Sequence, residues 1–275
     1  MPVTTSQQIA RYYDEFRNVD VTFTREVIKA TLLYPKQVFI KCMGYQWPCI
    51  IYSSSMVGAK IIANMKSSLN EAVRKANNLI SLRFSFLLRD KTDPLSFFVS
   101  SKITGYTPYS KENPELNFIT INYTQRPPDD LIEILGTLLE ANINSKRRGE
   151  DRIVLTADSA KKLGVRSRES RILIDGVPRK CIIRDVSFSG AKVIILGIAK
   201  FLVNKEAVLR IELDDPVDAV DIRGKVIRFE PVEGRNDIAA FALKFHEDAI
   251  PMKYKMRINN YLKGIKTKKL PGETG

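Results

Sequence analysis

The sequence predicts a mainly β protein of two small antiparallel β-barrel domains, joined by a helix and a basic loop and followed by a C-terminal helix. Three observations lead there. Short runs rich in Ile, Val, Phe, Tyr and Thr recur through both halves. Helical periodicity is confined to the two ends, the middle and one insertion. The chain has 275 residues, 44% of them hydrophobic, which suffices for two cores at about 100–200 residues per domain.

The first element is helical: Ile9, Tyr12, Tyr13 and Phe16 follow the i, i+3, i+4, i+7 spacing of one apolar face. Thr5 and Gln8 stand just before it at capping-box spacing. From Val21 to Thr124 β-type runs dominate: VFIKCMG, CIIYSSS, LISLRFSFLLR, LSFFVSS and LNFITINYT, with breakers such as KTDP and YSKENP between them. SLNEAVRKANN is the helical insertion. PPDDLIEILGTLLEAN is the joining helix, with Pro128 suited to the first turn and Asp129 and Asp130 facing the positive end of the dipole. Leu131, Leu135, Leu138 and Leu139 form its apolar face, and it is expected to end near Asn142.

The second half repeats the β character in RIVLTA, RILIDGV, RKCIIRD, AKVIIL, AVLRIEL, VDIRGKVIRFE and IAAFALKF. Asp175-Gly176 is a two-residue hairpin signal. About six strands without alternating helices predict an antiparallel barrel. The closing helix starts at Pro251, with Tyr254, Ile258, Tyr261 and Leu262 on one face and lysines on the other. The ending TKKLPGETG has the composition of a disordered terminus. No internal repeat shows in the letters, although both halves resemble small barrels. The expected organisation is a first domain over 1–142, a basic linker over 143–152, a second domain over 153–265 and a tail over 266–275.

No stretch reaches the roughly 18 apolar residues of a membrane helix. The opening MPVTTSQQIARYYDEF lacks the basic-then-apolar order of a secretory signal. A cytoplasmic protein without membrane insertion is therefore expected. Cys42, Cys49 and Cys181 make no even framework and are expected to stay thiols.

Charge narrows the partner. Lys and Arg number 44 against 31 acidic residues, a net +13, and the excess is uneven. Residues 1–141 hold 16 against 13, whereas residues 142–275 hold 28 against 18. Such a field favours phosphate-bearing molecules, from nucleotides to nucleic acid or an anionic membrane. Catalysis has little to work with. The single histidine, His246, ends the strand-like FALKFH, and Cys42 and Cys49 have no nearby His or Cys to complete a zinc site. Neither a nucleophile elbow nor a Walker A loop is present. A binding protein is expected, with no catalytic residue, metal or cofactor.

Two patterns in the second half stand out. Arg148 and Arg152 form R-x-x-x-R within the crowded loop KRRGEDR, and Asp185, Ser187 and Gly190 form D-x-S-x-x-G one hairpin later. In this order and spacing they resemble the PilZ domain, the receptor module for the bacterial second messenger cyclic di-GMP. The resemblance covers about residues 145–265, including ALKF in the last strand and the final helix. The first half with its helix looks like the companion domain of flagellar-brake-type PilZ proteins.

The resemblance implies a ligand with two phosphates and two guanines, gripped without bond chemistry. Arg148 and Arg152 would close over it, because guanidinium pairs bidentately with phosphate or with guanine O6 and N7 and also stacks on a base. Asp185 would accept from the guanine N1–H and N2–H edge. Ser187 would supply a hydroxyl, and Gly190 a close backbone approach. Arg147 occupies the place that, in the family, influences whether one or two ligands bind. Read without the resemblance, Asp185 and Ser187 are also compatible with turn residues bonding their own backbone, Gly190 with a turn glycine, and the arginines with a solvated linker.

The implied function is a receptor in which ligand orders the arginine loop, fixes the domain arrangement and so controls a downstream protein, such as a flagellar motor component or regulator, in motility, envelope or gene regulation. The alternative is a nucleic-acid-binding regulator using Lys253, Lys255, Arg257, Lys263, Lys266, Lys268 and Lys269 on a phosphate backbone. The first half lacks both patterns, so no ligand is predicted there. Trp47 in GYQWPC fits an interface hot spot or a half-buried core residue.

Overall fold

The computed structural model describes residues 5–65, 67–87, 93–196, 200–214, 216–232 and 234–268. The end of LISLRFSFLLR, the start of KTDP and the terminus from residue 269 lie outside them. The chain divides into two compact units, one up to Leu139 and one from Glu140.

The first unit contains α1 (Ser6–Phe16), β1 (Val21–Thr22), α2 (Arg25–Thr31), β2 (Phe39–Cys42), β3 (Tyr45–Pro48), β4 (Ile50–Ser54), β5 (Gly58–Asn64), α3 (Ser67–Lys75), β6 (Leu79–Phe86), β7 (Leu95–Pro108) and β8 (Leu116–Tyr123). Thr5 caps α1 by accepting the Gln8 amide at 3.3 Å, and Ile9, Tyr12 and Phe16 are buried. The antiparallel strands run in the order β1-β4-β5-β8-β7-β6-β2-β3. This sheet is an open half-barrel, because β3 and β4 are separate segments of one run that breaks at Cys49.

α4 (Asp129–Arg147) crosses the division in the chain and is followed by β9 (Ile153–Val154), α5 (Ala157–Leu163), β10 (Glu169–Ile174), β11 (Val177–Val186), β12 (Gly190–Leu196), β13 (Glu206–Leu213), β14 (Asp218–Val232), β15 (Arg235–Phe245) and α6 (Met252–Lys268). Here the ring β10-β13-β14-β15-β12-β11 closes on itself through β10–β11. β11 is long enough to pair with β10 along its first half and with β12 and β9 along its second. A bulge after Ile183 supplies the bend. Ile172, Ile183, Phe188, Val193, Leu209, Ile222 and Phe241 are fully buried inside, and Tyr254 and Ile258 of α6 cover the core.

Strand register exposes a duplication that only short stretches of the letters keep. Val21 and Thr22 face Ser54 and Ser53, as Ile153 and Val154 face Val186 and Asp185. Thr24 and Thr156 cap α2 and α5, and Leu32 and Gly164 end them at φ 59° and 66°. Met43-Gly44 and Asp175-Gly176 both turn with positive φ. Gly58 and Gly190 open β5 and β12. Each pair is 132 positions apart (153 less 21; 190 less 58). With that shift SSSMVGAKII lies on DVSFSGAKVI.

Several expectations change. α4 continues past Asn142 to Arg147, because its late amides are held by α6. Asn144 Nδ2 donates to Asn259 Oδ1 at 2.7 Å, Lys255 Nζ to Asn142 Oδ1 at 3.3 Å, and Asn259 Nδ2 to Glu140 Oε2 at 3.3 Å. Tertiary bonds here outweigh the weak helix propensity of Asn. α6 reaches Lys268, so the first three residues of the expected tail are helical. Its cations are not all on an open face. Lys253 is 8% exposed and Arg257 is 9% exposed. α2 and α5 went unread among β-type runs. No helix among the described residues is long and apolar enough to cross a membrane.

Candidate functional site

The site forms where the loop after α4 meets the β11–β12 turn. The Arg148 amide still bonds the Asn144 carbonyl at 2.8 Å, so Arg148 caps the helix, and the Asp151 amide bonds the Arg148 carbonyl at 3.2 Å to turn the chain. Arg152 is thereby delivered just before β9, whose pairing of Val154 with Asp185 brings the two motifs together. Arg152 Nη1 donates to Asp185 Oδ1 at 2.7 Å. The carboxylate side chain is 11% exposed and the guanidinium side chain 38%. Among the described residues Lys146, Arg147 and Arg148 have no ion-pair partner, and Lys146 and Arg147 are exposed on the last turn of α4.

The turn itself is closed by Ser187. Its amide donates to the Gly190 carbonyl at 2.8 Å, and its hydroxyl accepts the Gly190 amide at 3.1 Å. At 1% exposure the hydroxyl is enclosed, as expected of a residue bonding its own turn. Gly190 has a packing reason as well. A Cβ there would stand 2.2 Å from the Leu243 carbonyl oxygen on β15, a contact no side chain can make.

Two residues of the site escaped the sequence reading. Ser189 occupies an unconstrained position of the motif, yet its hydroxyl donates to the Gly149 carbonyl at 2.7 Å and its amide to the same oxygen at 3.1 Å. Glu150 Oε1 lies 3.1 Å from that hydroxyl. Ser189 therefore ties the arginine loop to the turn. Tyr254 was read only as part of an apolar helix face. Its hydroxyl donates to the Ser187 carbonyl at 2.7 Å. Burial, then the Asp185 charge, push its phenol well above the ordinary tyrosine range, so it stays a donor.

Chemically, this is one nearly buried carboxylate acceptor bonded to one guanidinium, beside a loop whose Lys146, Arg147 and Arg148 have no ion-pair partner among the described residues. It suits an anion that also carries an N–H edge. Elsewhere, His246 Nε2 lies 2.8 Å from Glu206 Oε2 at the surface. Cys42, Cys49 and Cys181 are buried free thiols, and burial pushes Cys49 and Cys181 up to about 12. Trp47 is half-buried on β3, donating to Ser68 Oγ at 3.2 Å.

The basic run proposed for a phosphate backbone is largely committed to the fold. Lys253 Nζ donates to Asp218 Oδ2 at 2.8 Å. Arg257 donates to the Leu163, Gly164 and Asp214 carbonyls at 2.9, 3.1 and 2.7 Å. Lys263 pairs with Glu140. Lys266 and Lys268 have no described side chain, and Lys269 lies outside the described residues.

Comparison with known proteins agrees with the two-part division. The PilZN3 domain model matches residues 7–142 and the PilZ domain model residues 147–264. A Treponema denticola protein named cyclic di-GMP binding protein is 48% identical over 266 residues, covering 97% of this chain and 85% of that one. Among solved structures, the Borreliella burgdorferi PlzA protein in complex with c-di-GMP is similar at 26% identity and TM-score 0.42, over 93% of this chain and 98% of that one. YcgR from Escherichia coli in complex with c-di-GMP is similar at 11% identity and TM-score 0.29, over 97% and 94%.

Proposed function

This chain belongs to the PilZ family, with a PilZN3 domain ahead of its PilZ domain, and on that premise we propose that it is a receptor for cyclic di-GMP and not an enzyme. The observation that carries the reading is the meeting of Arg152 and Asp185 at 2.7 Å on the rim of the Ser187–Gly190 turn. The name of its 48% identical relative supports the same ligand.

In this reading Arg152 holds the Asp185 carboxylate until ligand arrives. A guanine then offers its N1–H and N2–H to Asp185, and the released guanidinium turns to phosphate or to guanine O6 and N7. Arg148 closes from the loop side, and Arg147, on the exposed last turn of α4, reaches a second ligand molecule where two bind. Ser187 and Gly190 keep the turn in the shape that presents Asp185. No bond of the ligand breaks.

Ligand phosphates also cancel the charge that Lys146, Arg147 and Arg148 leave unpaired. Ordering of the loop is the switch, a disorder-to-order step that a downstream protein in the cytoplasm reads. Small-angle scattering with and without ligand tests that step, and identical profiles would remove it. Calorimetric titration of messenger-free protein tests the receptor itself. Saturable heat with cyclic di-GMP at micromolar concentration and none with GMP at that same concentration is expected; no heat with either would end the reading.

A further inference from the structure

The first unit holds a cleft of about 370 Å³ whose lining includes Tyr13, Arg17, Met56, Asn122, Gln125 and Arg126. Its position follows from the duplication. With the 132-residue shift, Met56 answers Phe188, so the floor of the cleft is the β4–β5 turn, counterpart of the turn beside Arg152. The Ser55 amide donates to the Gly58 carbonyl at 2.9 Å, as Ser187 does to Gly190 at 2.8 Å. Asn122 faces Gly58 across the ladder, as Lys244 faces Gly190. A Cβ on Gly58 would stand 2.5 Å from the Ile121 carbonyl oxygen, the same close approach that Gly190 makes.

The chemistry of the cleft is its own. The Arg17 and Arg126 guanidiniums stand 5.6 and 5.1 Å from the centre of one ring, Tyr13. Arg126 is part-neutralised by Asp129 at 3.3 Å. Two guanidiniums that share one aromatic ring give the cleft a cationic, hydrogen-bonding lining. The Asn122 and Gln125 amides add donors and acceptors for a base edge or ribose. Where the second unit has Asp185 the first has Ser53, so a hydroxyl replaces the turn carboxylate that would select the N–H edge of guanine. The volume is at the low end of the roughly 300–1,000 Å³ typical of ligand sites.

We propose that this cleft binds a single nucleoside monophosphate, with its phosphate on the arginine lining (Arg17, Arg126) and no preference for guanine. The proposal does not rest on cyclic di-GMP binding. The full chain carrying Arg147→Ala, Arg148→Ala and Arg152→Ala removes the arginines of the other site, so failure of either reading leaves the other readable. Titration of that protein with AMP and with GMP, followed by NMR, is expected to saturate for both with dissociation constants on the order of 1 mM, a weak −4 kcal/mol interaction. Adenosine, lacking phosphate, should not saturate. Arg17→Gln with Arg126→Gln should weaken AMP at least tenfold. Asn122→Asp, an exposed change that adds a repelling carboxylate, should do the same by another route. No saturation with AMP or GMP, or AMP binding undiminished in both variants, would overturn the proposal.

Discussion

Arg152 and Asp185, 33 positions apart, share a 2.7 Å hydrogen bond between Nη1 and Oδ1. Neither motif alone produces this contact. It exists because Val154 pairs with Asp185 in the β9–β11 ladder, so the backbone places the guanidinium beside the carboxylate.

Arg152→Lys keeps the charge and loses the planar fork. Cyclic di-GMP affinity should fall at least tenfold, about 1.4 kcal/mol. Folding stability should change by less than about 1 kcal/mol, because part-exposed ion pairs contribute little. Calorimetry beside urea unfolding checks both; unchanged affinity would contradict the forked contact.

Tyr254→Phe removes the donor to the Ser187 carbonyl. Leaving that buried acceptor unmet should cost about 1–3 kcal/mol, with the urea slope unchanged. Ligand affinity should drop as well, since the turn that presents Asp185 loosens.

The tyrosines also set an alkaline limit. Burial raises the phenols of Tyr123 and Tyr254 above the ordinary value of 10.0. Raised folded values mean that the stability they contribute is full below pH 10 and is lost as pH climbs from there, because only the unfolded chain ionises them readily. Absorbance titration near 295 nm should show these two phenols appearing only with unfolding. Their smooth titration in folded protein would contradict the assignment.

Gly190→Ala would press a Cβ to 2.2 Å from the Leu243 carbonyl oxygen, a backbone atom with no room to yield. A loss of about 3 kcal/mol is expected, the upper end for overpacking. Gly176→Ala meets nothing within 4 Å but sits at φ +78°, so about 1–2 kcal/mol is expected from backbone strain alone. Equal urea midpoints for the two variants would argue against the close approach of β15 to the turn.

The strands were legible because Ile, Val and Phe recur where the barrel core lies, and the α6 face because Tyr254 and Ile258 keep helical spacing. The motif residues were legible as fixed polar spacings. What escaped was set by distant partners. Asn142 and Asn144 resemble a helix stop until α6 supplies their bonds. Lys253 and Arg257 resemble a solvated face until Asp218 and three carbonyls enclose them. α2 and α5 span only seven residues each, too few for periodicity, and only their threonine caps and, for α5, the terminating Gly164 marked them. The duplication survives in register more than in letters, because a ladder constrains which residues face inward and leaves the rest free to change.

The most direct measurement is calorimetric titration of messenger-free protein with cyclic di-GMP, run beside Arg148→Ala and Asp185→Asn. The predicted result is saturable binding by the parent chain and at least tenfold weaker binding by each variant. Affinity undiminished in both variants, or a parent chain that takes up no ligand, would contradict the account.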